Sequence, residues 1–343
     1  MTKYPVSWRL SDLLNQEKRN IKVMSTFSCG GGSTMGYKLS GCDVVGCVEI
    51  DEKMMEIYKA NHNPRHSFRM SIQDFNELKK EELPEELYNL DILDGSPPCS
   101  VFSMAGKREA KWGGEHYFRE GQEIQKLDDL FFHYIDTVGK LRPKIAIAEN
   151  VKGLISGNAR GYVKEIMLAF REKDYDVQLF LLNAAKMSVP QARERVFFIA
   201  RRKDLGLPDL KLDFNDDQRN YFDAVQGIND FGERKKIAKS LLPLWRNTKA
   251  GESISKAHPK GHYFGWCKVN PNVPSPTVIA NRDTHIKWDE PYYLTDKELV
   301  RLQTFPDDFN FLDFSAQYVT GMSVPPYMIR RLSGEIIKQW QIG

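Results

Sequence analysis

The apolar run Ile21 to Phe27 passes straight into Ser28-Cys29-Gly30-Gly31-Gly32-Ser33-Thr34-Met35-Gly36, and a helical pattern follows as far as Ser40-Gly41. A strand, a glycine-rich turn and a helix N-terminus in immediate succession point to an α/β fold built on a mostly parallel sheet. Glycines let a ligand approach the backbone closely, so the turn reads as a nucleotide-binding entry. It is not a dinucleotide fingerprint. The third place of G-x-G-x-x-G, counted from Gly30, falls on Met35. A turn that holds no ligand is the plain alternative.

Strand and helix then alternate. Val44 to Ile50 reads as a second strand with Glu49 at its C-terminal end and Asp51 just beyond. An acid about 20 positions after the glycine turn can accept both ribose hydroxyls of an adenosine. The competing role is a helix N-cap, which suits Asp51 better than Glu49. The pattern from Glu52 to Asn61 is helical. Phe68 to Ile72 is a third candidate strand followed by Asp74, whose carboxylate could accept from an adenine amino group. The glycine turn, Glu49 and Asp74 would line one sheet edge as a pocket for an adenosyl cofactor. No Walker-type loop or lysine suggests ATP.

A short apolar run, Leu90 to Leu93, ends at Asp94-Gly95-Ser96-Pro97-Pro98-Cys99. The two prolines hold the chain extended and remove two backbone donors. Cys99 therefore lies on a stiff loop leaving a strand end, where open α/β sheets place their chemistry. A buried inert thiol is the alternative, because free cysteine is among the most buried residue types. Lys107 to Gln125 is too long and polar for a simple connection and reads as a mobile active-site loop. Leu127 to Leu141 is an amphipathic helix, and Ile145 to Ala148 is a buried strand delivering Glu149-Asn150-Val151. A carboxyl after four apolar residues is costly to bury charged without a partner. Gly161 to Glu172 is helical, and Val177 to Leu182 and Val196 to Ala200 are strands. Between those two strands, Gln191, Arg193 and Arg195 share one face of an extended segment, suited to a polar ligand or to an ordinary exposed edge.

Beyond residue 200 the periodicity weakens and aromatics mix with basic residues. From Arg234 to Lys287 there are eleven Lys or Arg against Glu252 and Asp283, a local charge of +9 in a chain of net charge +3, which leaves −6 elsewhere. That segment is a candidate polyanion-binding face, or else a merely solvated basic surface. The organisation expected is 1–200 as the cofactor-binding and catalytic domain, 201–289 as a smaller irregular domain, and 290–343 as a C-terminal return completing the first. Residues 1–20 should form a short helix or arm. Thr295 to Gln303 opens with a capping box, Thr295 with Glu298, and a last helix runs to Trp340. The five cysteines form no CxxC pair, which argues against zinc and against a disulfide framework. With no apolar span and no secretory start, the expected setting is cytoplasmic and nucleoid-associated, with no membrane.

Taken in order, these segments resemble the cytosine-C5 DNA methyltransferases over nearly all the chain outside about 203–275. The matching residues are Phe27 to Gly36, Glu49 and Asp74, Pro98-Cys99 with Phe102-Ser103, Glu149-Asn150-Val151, Gln191-x-Arg193-x-Arg195, Arg301 to Pro306, and Gly321-x-Ser323-Val324. The resemblance implies a Rossmann-like methyltransferase domain with a smaller target-recognition domain. It implies S-adenosyl-L-methionine as cofactor, S-adenosyl-L-homocysteine as product, and no metal. Cys99, Glu149, Arg193 and Arg195 would be catalytic. Phe27, Ser28, Gly30, Gly31, Glu49, Ile50, Asp74, Phe75, Pro98, Ser323 and Val324 would bind the cofactor. The partner would be double-stranded DNA, acted on by a monomer, either in a restriction-modification system whose endonuclease forms no stable complex with it or as a stand-alone phage-type enzyme. Two departures stand out. Cys29 replaces the loop's usual first glycine, and Met322 replaces an asparagine before Ser323. The second implies weaker cofactor affinity than a Met322→Asn variant would have. A tRNA cytosine methyltransferase and a catalytically silent cofactor-binding regulator are the other readings.

Overall fold

The computed structural model describes residues 4–98, 115–116, 125–126, 130–156, 160–281 and 283–342. Cys99 lies outside the described residues, as does the Lys107 to Gln125 segment apart from Glu115, His116 and Gln125. The chain divides into two compact units. The sheet unit comprises Gln16–Leu182, Glu194–Asp213 and Leu332–Gly343, and the second unit comprises Met1–Asn15, Asn183–Arg193 and Phe214–Arg331. The second unit is thus wider than the 201–289 suggested by composition.

The sheet unit is built on seven strands: β1 (Lys22–Thr26), β2 (Asp43–Val48), β3 (His66–Phe68), β4 (Ile92–Gly95), β7 (Ile145–Val151), β8 (Tyr175–Asn183) and β9 (Glu194–Arg202). Their order is β3-β2-β1-β4-β7-β9-β8. The first five run parallel to their neighbours, and β9 is antiparallel to β7. This is the mostly parallel α/β architecture expected. The two-residue strands β5 (Glu115–His116) and β6 (Gln125–Lys126) pair separately.

The central strands are near-continuous apolar runs, the composition of strands covered on both faces. Helix α1 (Gly32–Leu39) follows β1 and α2 (Glu52–His62) follows β2. Asp51 is the N-cap of α2, accepting from Met54 N at 3.1 Å. Helix α3 (Ile72–Glu77) follows β3, and α4 (Leu130–Leu141) precedes β7. Along α4, Leu130, Phe131, Tyr134, Ile135, Val138 and Leu141 recur at helical spacing and are all buried. Phe131 meets Phe198 of β9 edge to face at 5.1 Å, and truncating such a ring to alanine costs about 3–5 kcal/mol. The Tyr134 hydroxyl donates to Leu93 O (2.8 Å) and Ile147 O (3.0 Å), tying β4 to β7 from below. Helix α5 (Arg160–Glu172) lies between β7 and β8 in the chain.

Two boundaries differ from the sequence reading in ways that matter. The third strand is His66–Phe68, not Phe68 to Ile72, because Ser71 caps a helix that already contains Asp74. The fourth strand is Ile92–Gly95, so Asp94 is a strand residue rather than the stop after one.

In the second unit, α6 (Tyr221–Ala224), α7 (Leu242–Asn247), α8 (Asp296–Leu302) and α9 (Ala316–Met322) join a small pair, β10 (Cys267–Lys268) with β11 (His285–Ile286). Residues 10–15 form a 3-10 helix. The capping box of α8 is present, with Glu298 reaching back to Thr295 N at 2.7 Å. The same carboxylate is fully buried and is also held by Arg234 and the Tyr221 hydroxyl. Helix α10 (Pro326–Trp340) closes the chain. No helix among the described residues is long and apolar enough to cross a membrane.

Candidate active site

Strand order reverses at β1: the chain moves from β1 outward to β2 and β3, then returns to place β4 on the other side. Open parallel sheets hold ligands at such a switch point, beyond the carboxyl ends of the strands. The ends of β1, β2, β4 and β7 carry the glycine turn, Glu49, the Pro97-Pro98 bend and Glu149.

Glu149 is buried near the end of β7. Arg195 of β9 donates through Nε to Glu149 Oε1 at 2.8 Å, and through Nη1 to Glu194 O at 2.8 Å. The antiparallel register, with Val151 opposite Arg195 and Glu149 opposite Phe197, brings the two side chains together. Burial lowers the Arg195 pKa, and the Glu149 carboxylate opposes that shift. Asn150 Nδ2 donates to Pro97 O at 3.1 Å. That bond ties the strand end bearing Glu149 to the bend leading into Cys99. Asn150 was legible in sequence only as the neighbour of Glu149.

Asp94 is the buried acid that the sequence did not flag. It accepts from Ser25 Oγ of β1 (3.0 Å) and from the Tyr37 hydroxyl of α1 (3.0 Å). Its pKa is pushed up to about 7, chiefly by burial and further by the Glu149 carboxylate. Next to it, Gly95 is required by space. A Cβ there would come within 2.5 Å of the Tyr134 ring and 2.6 Å of Thr26 Oγ1.

The glycine turn has the geometry of a ligand cradle. Gly31, the N-cap of α1, has φ +86°, and a Cβ on it would meet His62 Nε2 at 2.1 Å. His62 backs the turn from α2 with Nε2 3.2 Å from Gly30 O, and burial holds its pKa down at about 3. Cys29 adopts φ +46°, in the left-handed region that favours glycine, and Phe27 has φ +52°. Glu49 is locked to this turn: Oε2 accepts from Cys29 N at 2.7 Å and Oε1 from Asp51 N at 2.9 Å. Burial raises its pKa to about 6. Each carboxylate oxygen has a second lone-pair direction. A buried, fixed carboxylate beside a glycine cradle therefore fits the diol of an adenosyl group. Phe27 and Ile50 are partly exposed, Ser28 and Gly30 are buried, and Pro98 is partly exposed at the end of the bend.

Asp74 and Phe75 sit on α3, directly after β3. Asp74 is in the first turn of α3 rather than at a strand end, exposed, with its carboxylate accepting from Ser71 Oγ at 2.7 Å. The Phe75 ring is fully buried, packed edge to face on Phe68 at 5.1 Å, and its N–H is used by Ser71 O. It is a core residue, because an amphipathic turn of α3 points that position inward.

Gln191 and Arg193 belong to the second unit and Arg195 to the sheet unit, each with partners inside its own unit. Within the second unit, Gln191 Nε2 donates to Gln303 Oε1 (2.5 Å), and Val278 N donates to Gln191 Oε1 (3.1 Å). Arg193 donates to Val278 O (3.0 Å) and Gly321 O (3.1 Å). Both brace residues 278–321. Ser323 and Val324 are buried in that unit, with Ser323 Oγ donating to Val319 O at 2.8 Å, while Met322 is exposed. In the basic segment, Lys235 pairs with Asp283 and Lys256 with Glu252. Lys236, Lys239, Arg246, Lys249 and Lys260 are exposed.

Comparison with known proteins gives a consistent result. The family described as "C-5 cytosine-specific DNA methylase" matches residues 21–338. The chain is 28% identical over 319 residues to the type II methyltransferase M.FnuDI of Fusobacterium nucleatum, covering 85% of this chain and 86% of that one. It is 26% identical to the type II methyltransferase M.NgoPII of Neisseria gonorrhoeae, covering 93% and 96%. In fold it is similar to an E. coli prophage-encoded protein solved as a candidate DNA modification methyltransferase, with a TM-score of 0.68, 22% identity, and coverage of 94% and 100%.

Proposed function

Because the chain belongs to the C-5 cytosine-specific DNA methylase family and is a DNA cytosine-5-methyltransferase, we propose that it methylates a cytosine flipped out of duplex DNA through a covalent Cys99–C6 intermediate. The observation that carries the reading is the Asn150–Pro97 bond. It ties the strand end bearing Glu149 to the bend that precedes Cys99 in the sequence.

The chemistry accounts for the residue types. Cytosine C5 is a poor nucleophile. Addition of a Cys99 thiolate to C6 places electron density on C5, which can then take a methyl group. S-adenosylmethionine, when bound, supplies that methyl as an electrophile. Glu149 would hydrogen-bond N3 and the exocyclic amine as charge builds on the ring, with Arg195 holding its carboxylate in position. Loss of the C5 proton to a base or water then expels Cys99 and restores the ring. A stacked base cannot reach such a site, so the target must leave the helix.

Phe27, Ser28, Gly30, Gly31, Glu49, Ile50 and Pro98 would hold the cofactor, with Asp74 within its own short helix turned to solvent and available to the adenine. Ser323 and Val324 remain assigned to the methionine end by motif alone. The exposed cations between Lys236 and Lys260 would hold phosphates of the duplex. The type II relatives favour a modification enzyme of a restriction system. The test is transfer of tritium from methyl-labelled donor: label is expected in duplex DNA as 5-methylcytosine, and label in tRNA alone would overturn the DNA reading.

A further inference from the structure

Residues 252–268 of the second unit fold back on themselves. Ser253 faces Cys267 in an antiparallel bridge, with Ile254 N donating to Trp266 O at 2.8 Å and Lys268 N to Glu252 O at 3.0 Å. The loop so closed, 255–265, carries Lys256, His258, Lys260 and His262 and no acidic residue. Its last part is a tight turn in which Trp266 N donates to Tyr263 O at 3.0 Å. The Tyr263 and Trp266 rings stack at 4.5 Å and pack on the cluster of Ile237, Leu241, Ile254, Ile286 and Tyr293. Phe264, between them, is left in water. It is 60% exposed, more than any other phenylalanine among the described residues. Phe222, the next at 51%, leans on Trp288 at 5.6 Å. The backbone under Phe264 is fixed. Ser253 Oγ donates to Phe264 O at 2.9 Å, and a Cβ on Gly265 would come within 2.9 Å of Ile279 Cδ1. Tyr263 takes φ +68°, a conformation uncommon for a residue with a side chain. Across the loop, His258 Nδ1 accepts from Lys260 N at 3.1 Å and His262 N at 3.3 Å, and the two imidazoles stack at 4.7 Å.

We propose that Phe264 is a wedge that enters the base stack of bound duplex DNA, with Lys260 holding a phosphate beside it. This rests on the reading of duplex DNA as substrate and goes beyond it by giving one side chain the task of unstacking a base step. Charge and shape together select the occupant. A basic loop free of acids draws a polyanion, and a flat apolar ring held out from that loop matches the gap between two base pairs. Being fixed before it binds, the ring loses little freedom on entry. Wedges of this kind partly unstack a step and kink the duplex. Pyrimidine–purine steps open most easily, so Phe264 favours sites that contain one without touching a base edge.

The test uses closed circular plasmid DNA, so the recognised sequence need not be known. The plasmid is relaxed by a type I topoisomerase under saturating full-length protein and S-adenosylhomocysteine, then freed of protein and resolved on a gel. A ring between base pairs unwinds the helix, so the wild type should leave the plasmid with a lowered linking number. Phe264→Ala should lose most of that shift. Its affinity, read by filter retention of the same plasmid, should fall about tenfold, with unchanged salt dependence because the ring neutralises no phosphate. Lys260→Ala should do the reverse: the shift stays, and the slope of log affinity against log salt becomes shallower by about 0.9. Phe264→Trp should keep the shift. Both side chains are exposed, so these variants should fold. An undiminished shift in Phe264→Ala, or no shift in a wild type that retains the plasmid, would overturn the wedge and leave the DNA reading standing. A wild type that retains no plasmid would remove the DNA reading and the wedge together.

Discussion

Arg195 Nε and Glu149 Oε1 lie 2.8 Å apart across the β7–β9 pair, both largely withdrawn from water. A paired buried carboxylate is held where it is by its partner, and the partner is held in turn. Removing either one strands the other.

Arg195→Ala should therefore cost stability as well as activity. The expected loss is about 3–5 kcal/mol, the usual penalty for leaving one member of a buried pair unmatched. Urea unfolding followed by far-UV circular dichroism reads it. Glu149→Gln keeps the shape and a hydrogen-bonding amide but leaves the Arg195 charge unmatched, so it should lose less stability than Arg195→Ala while methyl transfer falls about 10²–10⁴-fold. Equal losses of stability in the two variants would mean the pair is only structural.

Gly31→Ala should disable the cofactor turn. The left-handed φ alone costs about 1–2 kcal/mol for a residue with a side chain, and the new methyl would overlap His62 Nε2. Donor affinity should fall at least tenfold by about 1.4 kcal/mol or more. Adding His62→Ala should restore part of it, because the obstruction is one side chain. Absence of any recovery in the double variant would locate the damage in the backbone alone.

The glycine turn, Glu49 and the Asp51 cap were legible in sequence because their partners are near in the chain: Glu49 bonds Asp51, and Asp51 bonds Met54. Asp94 was not. Its donors, Tyr37 and Ser25, are 57 and 69 residues away and become neighbours only when β1 and β4 pair. The alternation of Gln191, Arg193 and Arg195 suggested one common face. Tertiary structure assigns the first two to one unit and the third to the other, each with its own partners. Asp74 was misplaced because β3 is short and half-polar, so the alternating apolar and polar residues from Phe68 to Ile72 looked more like a strand than His66–Phe68 did.

His62 should make the sheet unit acid-sensitive. Burial depresses its folded pKa to about 3, below the unfolded value of about 6.5. The unfolded chain then binds the proton more readily, so the stability is present above the unfolded pKa and is lost as pH falls from there towards 3. At pH 5 the loss from this one ring is about 2 kcal/mol. Asp94 and Glu49, whose folded pKa values are raised, act in the opposite sense: folding is favoured below their unfolded values and that advantage is lost as pH rises through about 7 and about 6. The difference between wild type and His62→Gln isolates the histidine. The gap in unfolding free energy should shift in favour of the variant between pH 7 and pH 5, and a constant gap would contradict the assignment.

The covalent route is tested most directly by incubating the protein with S-adenosylmethionine and duplex DNA carrying 5-fluorocytosine, then resolving it under denaturing conditions. Fluorine at C5 cannot leave as a proton does, so the Cys99–C6 bond should persist and the protein should migrate with the DNA strand attached. Cys99→Ser should give no such band. A band that survives in Cys99→Ser, or none in an active wild-type protein, would contradict addition of this thiol to the ring.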